Sequence, residues 1–131
     1  MNEGWYNGNY WILLNENEIV NISEMYLINK YLPGFRIFGL RGWDDFIVVE
    51  ENRYYTVPTV PMINKYLEPL DLPIQVPLEI DLARKGKIKW YIKPLIVGGD
   101  PGDESNMIYL EMDKHAELVK WWNEQLHGKI A

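Results

Sequence analysis

A run of strongly helical period, closed by a Pro-Gly stop, constrains this chain more than any other feature. Asn15 is placed to cap a helix, and Glu18 three residues on completes the pattern of a capping box. Glu16 and Glu18 also put negative charge at the positive end of the helix dipole. Ile19, Ile22 and Tyr26 follow a 3.6-residue period, with Val20, Leu27 and Tyr31 on the next strip and Asn17, Asn21 and Glu24 opposite. Pro33 biases Leu32 out of the helical region, and Gly34 completes the stop. One amphipathic helix over about residues 15–32 is expected, with a single face to bury.

Strands surround it. Residues 9–14 are aromatic and branched and follow the turn signal Asn7-Gly8. Residues 35–40, 46–50 and 54–60 read as three more strands, joined by tight turns at Gly42-Trp43-Asp44-Asp45 and Glu51-Asn52-Arg53. Pro58 and Pro61 weaken the last of these as a central strand. Residues 62–67 allow a short helix, after which Pro69, Pro73 and Pro77 argue for an extended connector that wraps the domain and does not divide it. In residues 87–97 the alternation sets Ile88, Trp90 and Ile92 against Lys87, Lys89, Tyr91 and Lys93. Residues 107–112 make a further strand. A last helix, over about 113–127, starts at Asp113 as N-cap, carries His115, Leu118, Trp122 and Leu126 as a stripe beside Val119, and closes at Gly128. The order β-α-β-β-β, connector, β-β-α is an α+β pattern: an antiparallel sheet of hairpins with both helices on one face.

A chain of 131 residues fits a single domain spanning 1–131, large enough to bury a core without staples. There is no Cys, which removes disulfides, thiolate metal sites and a cysteine nucleophile. The acidic, aromatic amino terminus does not resemble a signal peptide, and no apolar run reaches the roughly 18–20 residues of a membrane span. A soluble, cytoplasmic protein without a membrane partner is expected. The net charge of −6 is uneven, because Arg84, Lys85, Lys87, Lys89 and Lys93 fall in a stretch without acids. The rest of the chain holds eight basic against nineteen acidic residues, which favours basic partners and makes nucleic acid an unlikely one.

The search for catalytic chemistry finds little. His115 and His127 are the only histidines and stand twelve residues apart, too far to chelate one ion from one helix face at short spacing; His127, near a helix end, is favoured when protonated. Ser23 and Ser105 are the only serines, and neither stands in a nucleophile elbow. The loop 98–105 gathers Asp100, Asp103 and Glu104 around three glycines, but its carboxylates would repel a phosphate and its order is not that of an EF-hand. Asp44 and Asp45 with Glu50 and Glu51 offer carboxylates without a basic neighbour to tune them. Turn chemistry explains both groups more simply. Lys87, Lys89, Tyr91 and Lys93 resemble a surface for single-stranded nucleic acid, and equally the solvated face of an edge strand.

Residues 7–61 resemble the central part of the SUKH superfamily, which includes the yeast cell-wall assembly regulator and bacterial immunity proteins. The likeness rests on Asn7-Gly8, the strand from Tyr10 to Leu14, the acidic helix with Glu18-Ile19 and Asn21, and Tyr31-Leu32-Pro33-Gly34. It continues through Ile37-Phe38-Gly39, a turn with Gly42 and acids, and a Val-Pro segment at Val57-Pro58 or Val60-Pro61. The chain departs in having only six residues before Asn7, in Leu40, Arg41 and Trp43 at a turn usually richer in glycine, and in its poor match over 62–131. The resemblance implies a divergent or truncated member: a non-enzymatic domain, needing no cofactor or metal, that neutralises a basic protein toxin such as a nuclease. Trp43 would anchor such a partner, and Asp44, Asp45, Glu50 and Glu51, with Asp100, Asp103 and Glu104 as a second patch, would steer it. Two other classes stay open: a small-molecule-binding protein or small enzyme with an aromatic-lined pocket, and a nucleic-acid binder using residues 87–93.

Overall fold

Asn7 and Gly8 both take positive φ, 53° and 83°, the backbone of a two-residue hairpin turn whose twist matches its strands. They join β1 (Asn2–Tyr6) to β2 (Asn9–Leu13). The first strand escapes a pattern reading because its inward residue Glu3 is polar yet buried. The structure, a computed structural model, describes residues 1–42, 45–72 and 77–130. Six strands form one antiparallel sheet in chain order: β1, β2, β3 (Arg36–Arg41), β4 (Asp45–Glu50), β5 (Arg53–Pro58) and β6 (Glu68–Pro69). β7 (Ile88–Tyr91) and β8 (Met107–Leu110) make a second, two-stranded sheet. With α1 (Glu16–Met25), α2 (Ile28–Tyr31) and α3 (Met112–Ile130) the molecule is an α+β fold, as its element order implies.

The first helical segment begins as read. Asn15 accepts from the Glu18 amide at 2.9 Å while the Glu18 carboxylate accepts from the Asn15 amide at 3.0 Å and pairs with the amino terminus at 2.8 Å. Replacing Asn15 by Ala should lower stability by about 1 kcal/mol, read as a lower urea midpoint with unchanged slope; an unchanged midpoint would show the cap to be redundant. The segment is not one helix of 15–32, however. Leu27 adopts the left-handed conformation (φ 59°) and breaks it into α1 and α2. Past the break, Ile28 and Leu32 turn inward, which leaves Val20 and Leu27 exposed, contrary to the strip they were assigned.

One face of the large sheet presents Tyr10, Ile12, Leu14, Ile37, Leu40, Phe46, Val48 and Val57 to Ile19, Ile22, Tyr26 and Ile28 of the first helices and to Ala116, Val119 and Leu126 of α3. Ile88 and Trp90 of β7 join the same core. The bulge between Ile37 and Gly39 needs its glycine: a Cβ there would run into the Ile12 carbonyl of the neighbouring strand. On the opposite face Trp11, Ile47 and Val49 are buried as well.

Several boundaries differ from expectation. The third hairpin strand stops at Pro58, before the cis Val60–Pro61 bond. Residues 62–67 hold a single 3-10 turn, Asn64–Tyr66. The 87–97 strand ends at Tyr91, where Lys93 is tied instead to Asn106 through its backbone N–H (2.7 Å) and C=O (3.1 Å). The 107–112 strand ends at Leu110, and α3 begins at Met112 and continues past Gly128 to Ile130, so Asp113 and Gly128 do not end it. On α3 it is His115, Ala116, Val119, Asn123 and Leu126 that are buried, while Leu118 and Trp122 sit at the margin.

The connector leaves β6 at one edge of the sheet and reaches Glu79, which exchanges two backbone hydrogen bonds with Trp5 of β1 at the other edge (2.7 and 3.1 Å). Gly4 permits that approach, since a Cβ there would lie 2.5 Å from the Glu79 backbone. The Glu79 contact also covers part of an otherwise open edge.

Candidate functional site

Among the sequence-predicted contact residues, Trp43 and Asp44 lie outside the described residues. Asp45 opens β4 and is half-buried. Its carboxylate meets the Arg41 guanidinium across the hairpin at 3.1 Å. Burial raises its pKa above the ordinary value, Arg41 opposes that shift, and the charge of Glu68 adds to it. Glu50 and Glu51 stand at the far end of the same strand, roughly 17 Å away at ~3.3 Å per residue, so Asp45 and these two glutamates are not one constellation. Glu51 and Asn52 form the β4–β5 turn with φ of 49° and 62°, which tips an exposed Glu51 into a conformation that side chains beyond Gly, Asn and Asp seldom adopt.

The loop carboxylates serve their own turns. Asp100 accepts from the Gly102 amide (2.8 Å), and Asp103 accepts from the amide and hydroxyl of Ser105 (2.9 and 2.7 Å), which lowers its pKa. Glu104 is exposed in the 3-10 turn Glu104–Asn106. No group of three or more His, Asp or Glu among the described residues is placed to hold a metal ion.

The remaining candidates are engaged in packing and hydrogen bonds. Ser23 is buried and accepts from the Ile37 amide at 2.8 Å. His115 is fully buried, with Nδ1 2.6 Å from the Tyr26 hydroxyl and its ring edge-to-face with Trp90. His127 stacks on Tyr31 (centroids 4.2 Å apart), and burial lowers its pKa, with Lys30 adding to the effect. That opposes the expectation of a favoured charge, because desolvation outweighs the Met62 backbone hydrogen bond that acts the other way. Tyr91 is buried, so it is not the stacking ring of a lysine face, and Ile92 rather than Tyr91 is exposed.

What the fold does assemble lies beside the Gly42 turn. Arg41, Asp45, Thr56, Pro58, Lys65, Tyr66 and Glu68 line a cleft of about 230 Å³. A second concavity of about 400 Å³ shares Pro58 and Tyr66 and adds Val60, Pro61, Leu95 and Ile96. One half is charged, the other apolar, and Leu95 and Ile96 are 39% and 51% exposed. Of this set only Asp45 was singled out beforehand. Leu95 and Ile96 look like strand interior in the sequence, and only the end of β7 at Tyr91 turns them outward. A larger groove of about 610 Å³ runs along α1 and α2, where Val20, Leu27, Ile28 and Phe35 are flanked by Glu24, Asn29, Lys30 and Arg36.

Among the described residues no helix is long and apolar enough to cross a membrane. Comparison with protein-family models, curated proteins and solved structures finds no match to this chain.

Proposed function

We propose that this chain is a non-enzymatic protein-binding domain, similar to SUKH immunity proteins, that holds a basic protein toxin against the paired clefts beside the Gly42 turn. The observation that carries the reading is their juxtaposition: an apolar floor of Pro58, Pro61, Leu95 and Ile96, bordered by Arg41, Asp45, Lys65 and Glu68 and joined through Tyr66. An apolar centre with a polar rim is the anatomy of a protein interface. The acidic excess outside 84–93 supports steering of a basic partner.

Titration calorimetry with a basic protein toxin of the nuclease class, at low salt, tests this. A complex is expected, weakened about tenfold or more by Ile96→Asp, the usual size of a hot-spot loss. No complex with the unaltered protein would refute the reading.

A further inference from the structure

Away from these clefts, the guanidinium of Arg84 is held by three aromatic rings. Trp5 and Tyr10 lie with centroids 4.7 Å from it and Tyr109 at 5.3 Å. Among the described residues Arg84 makes no ion pair. Its Nε is buried without a partner. With its Nε side buried, an arginine fixed by stacking keeps its terminal N–H donors for an outside acceptor.

The surroundings extend the charge. Tyr109 stands directly across from Lys89 in the β7–β8 register, which puts both side chains on one face. Arg84 lies near enough to Lys89 for its charge, after burial, to lower the lysine pKa. Lys85 and Lys87 are exposed on the same loop. Trp5 and Tyr109 are 38% and 41% exposed, so ring surface stays open beside the cation.

Glu3 and Asp81 lie beside this cluster, and both are engaged in holding the loop. Glu3 accepts from the Tyr10 hydroxyl (2.8 Å) and the Gly86 amide (3.2 and 3.3 Å). Asp81 accepts from Trp5 Nε1 (3.3 Å) and the Ala83 amide (3.0 Å).

We infer that the Trp5–Arg84–Tyr109 face binds single-stranded nucleic acid, with phosphates on Arg84 and its neighbouring lysines and bases on the open ring faces. Charge that tracks a backbone beside aromatic platforms is the recurrent chemistry of such binding. The net charge of −6 opposes it only at long range, because screening over ~8–10 Å lets the local cluster decide. The rings are Trp5 of β1 and Tyr109 of β8 and not Tyr91, and none of these residues lines the paired clefts.

Fluorescence anisotropy of a labelled oligothymidylate against the full chain tests the inference. Binding is expected at low salt, with a slope of log affinity on log salt of about −2 to −3 for three or four neutralised phosphates. Tyr109→Ala should weaken it about tenfold, the scale of one lost stack. The exposed pair Lys85→Glu and Lys87→Glu, which touches no core, should abolish it. Absence of binding at low salt overturns the inference, as does binding indifferent to the Lys85/Lys87 reversal. Displacement of the oligonucleotide by inorganic phosphate at equal concentration, or binding to anionic lipid vesicles in its place, also overturns it.

Discussion

Asn123→Ala should destabilise the protein by about 3–5 kcal/mol, a large part of the ~5–15 kcal/mol available to a domain. Asn123 is fully buried on α3 and acts as a clamp. Its side-chain oxygen accepts from the Met62 amide at 2.7 Å, and its nitrogen donates to the Thr59 carbonyl at 2.8 Å and the Val119 carbonyl at 2.9 Å. Met62 and Thr59 are themselves fully buried. Truncation therefore strands a donor and an acceptor that water cannot reach, each costing ~1–3 kcal/mol. The clamp holds the chain leaving β5, including the cis Val60–Pro61 bond and the approach to Tyr66, against α3. Urea unfolding followed by circular dichroism measures the effect. A loss under ~1 kcal/mol, within the range of a single ordinary hydrogen bond, would mean that the segment holds itself.

The second large effect is acid sensitivity centred on His115. Burial pushes its pKa from 6.5 down to about 3. Its Nδ1 lies at hydrogen-bond distance from Tyr26, and its Nε2 has no partner. The phenol and Nδ1 share one hydrogen bond, and burial keeps the ring neutral. The unfolded chain takes up a proton near pH 6.5 and the folded chain does not until near 3. Stability is thus fully present above pH 6.5 and falls by roughly 1.4 kcal/mol per unit as pH drops through that window. By pH 4.5 the loss is about 2–3 kcal/mol. Glu18 and Asp103, whose pKa values are lowered, add to acid lability only below about their own ordinary values of 4.5 and 3.8, so the upper part of the window belongs to histidine. His127 shifts in the same direction from a more exposed position. The double variant Tyr26→Phe, His115→Leu removes both partners of the buried pair. It should flatten most of the slope between pH 6.5 and 4.5 in urea midpoints. An unchanged slope would place the acid-sensitive group elsewhere.

Legibility in the sequence tracks what is local. The capping box at Asn15, the Asn7-Gly8 turn and the central hairpins are written in adjacent residues, and they form where expected. The break at Leu27 was hidden because 3.6-residue periodicity continues across it; burial of Ile28 and Leu32 outweighs the cost of one left-handed residue. β1 was hidden by Glu3, whose burial depends on Tyr10 and on Gly86, eighty-three positions away. Asn123 shows the same limit. Its spacing of four from Val119, itself four from His115, marks the buried stripe, but Trp122 carries the stronger hydrophobic signal. Of the candidate contact surface, the acids at Asp45 could be read from composition. Tyr66, Leu95 and Ile96 could not, because what brings them together is a fold contact between the chain after β5 and the chain after β7.

Hydrogen exchange on the full chain with and without the basic toxin tests the central claim most directly. Protection confined to residues 58–66, 95–97 and the β3–β4 turn around Asp45 is the result expected for a partner seated on the paired clefts. A complex that leaves those segments exchanging freely, and protects the α1–α2 groove or the 98–105 loop instead, would contradict it.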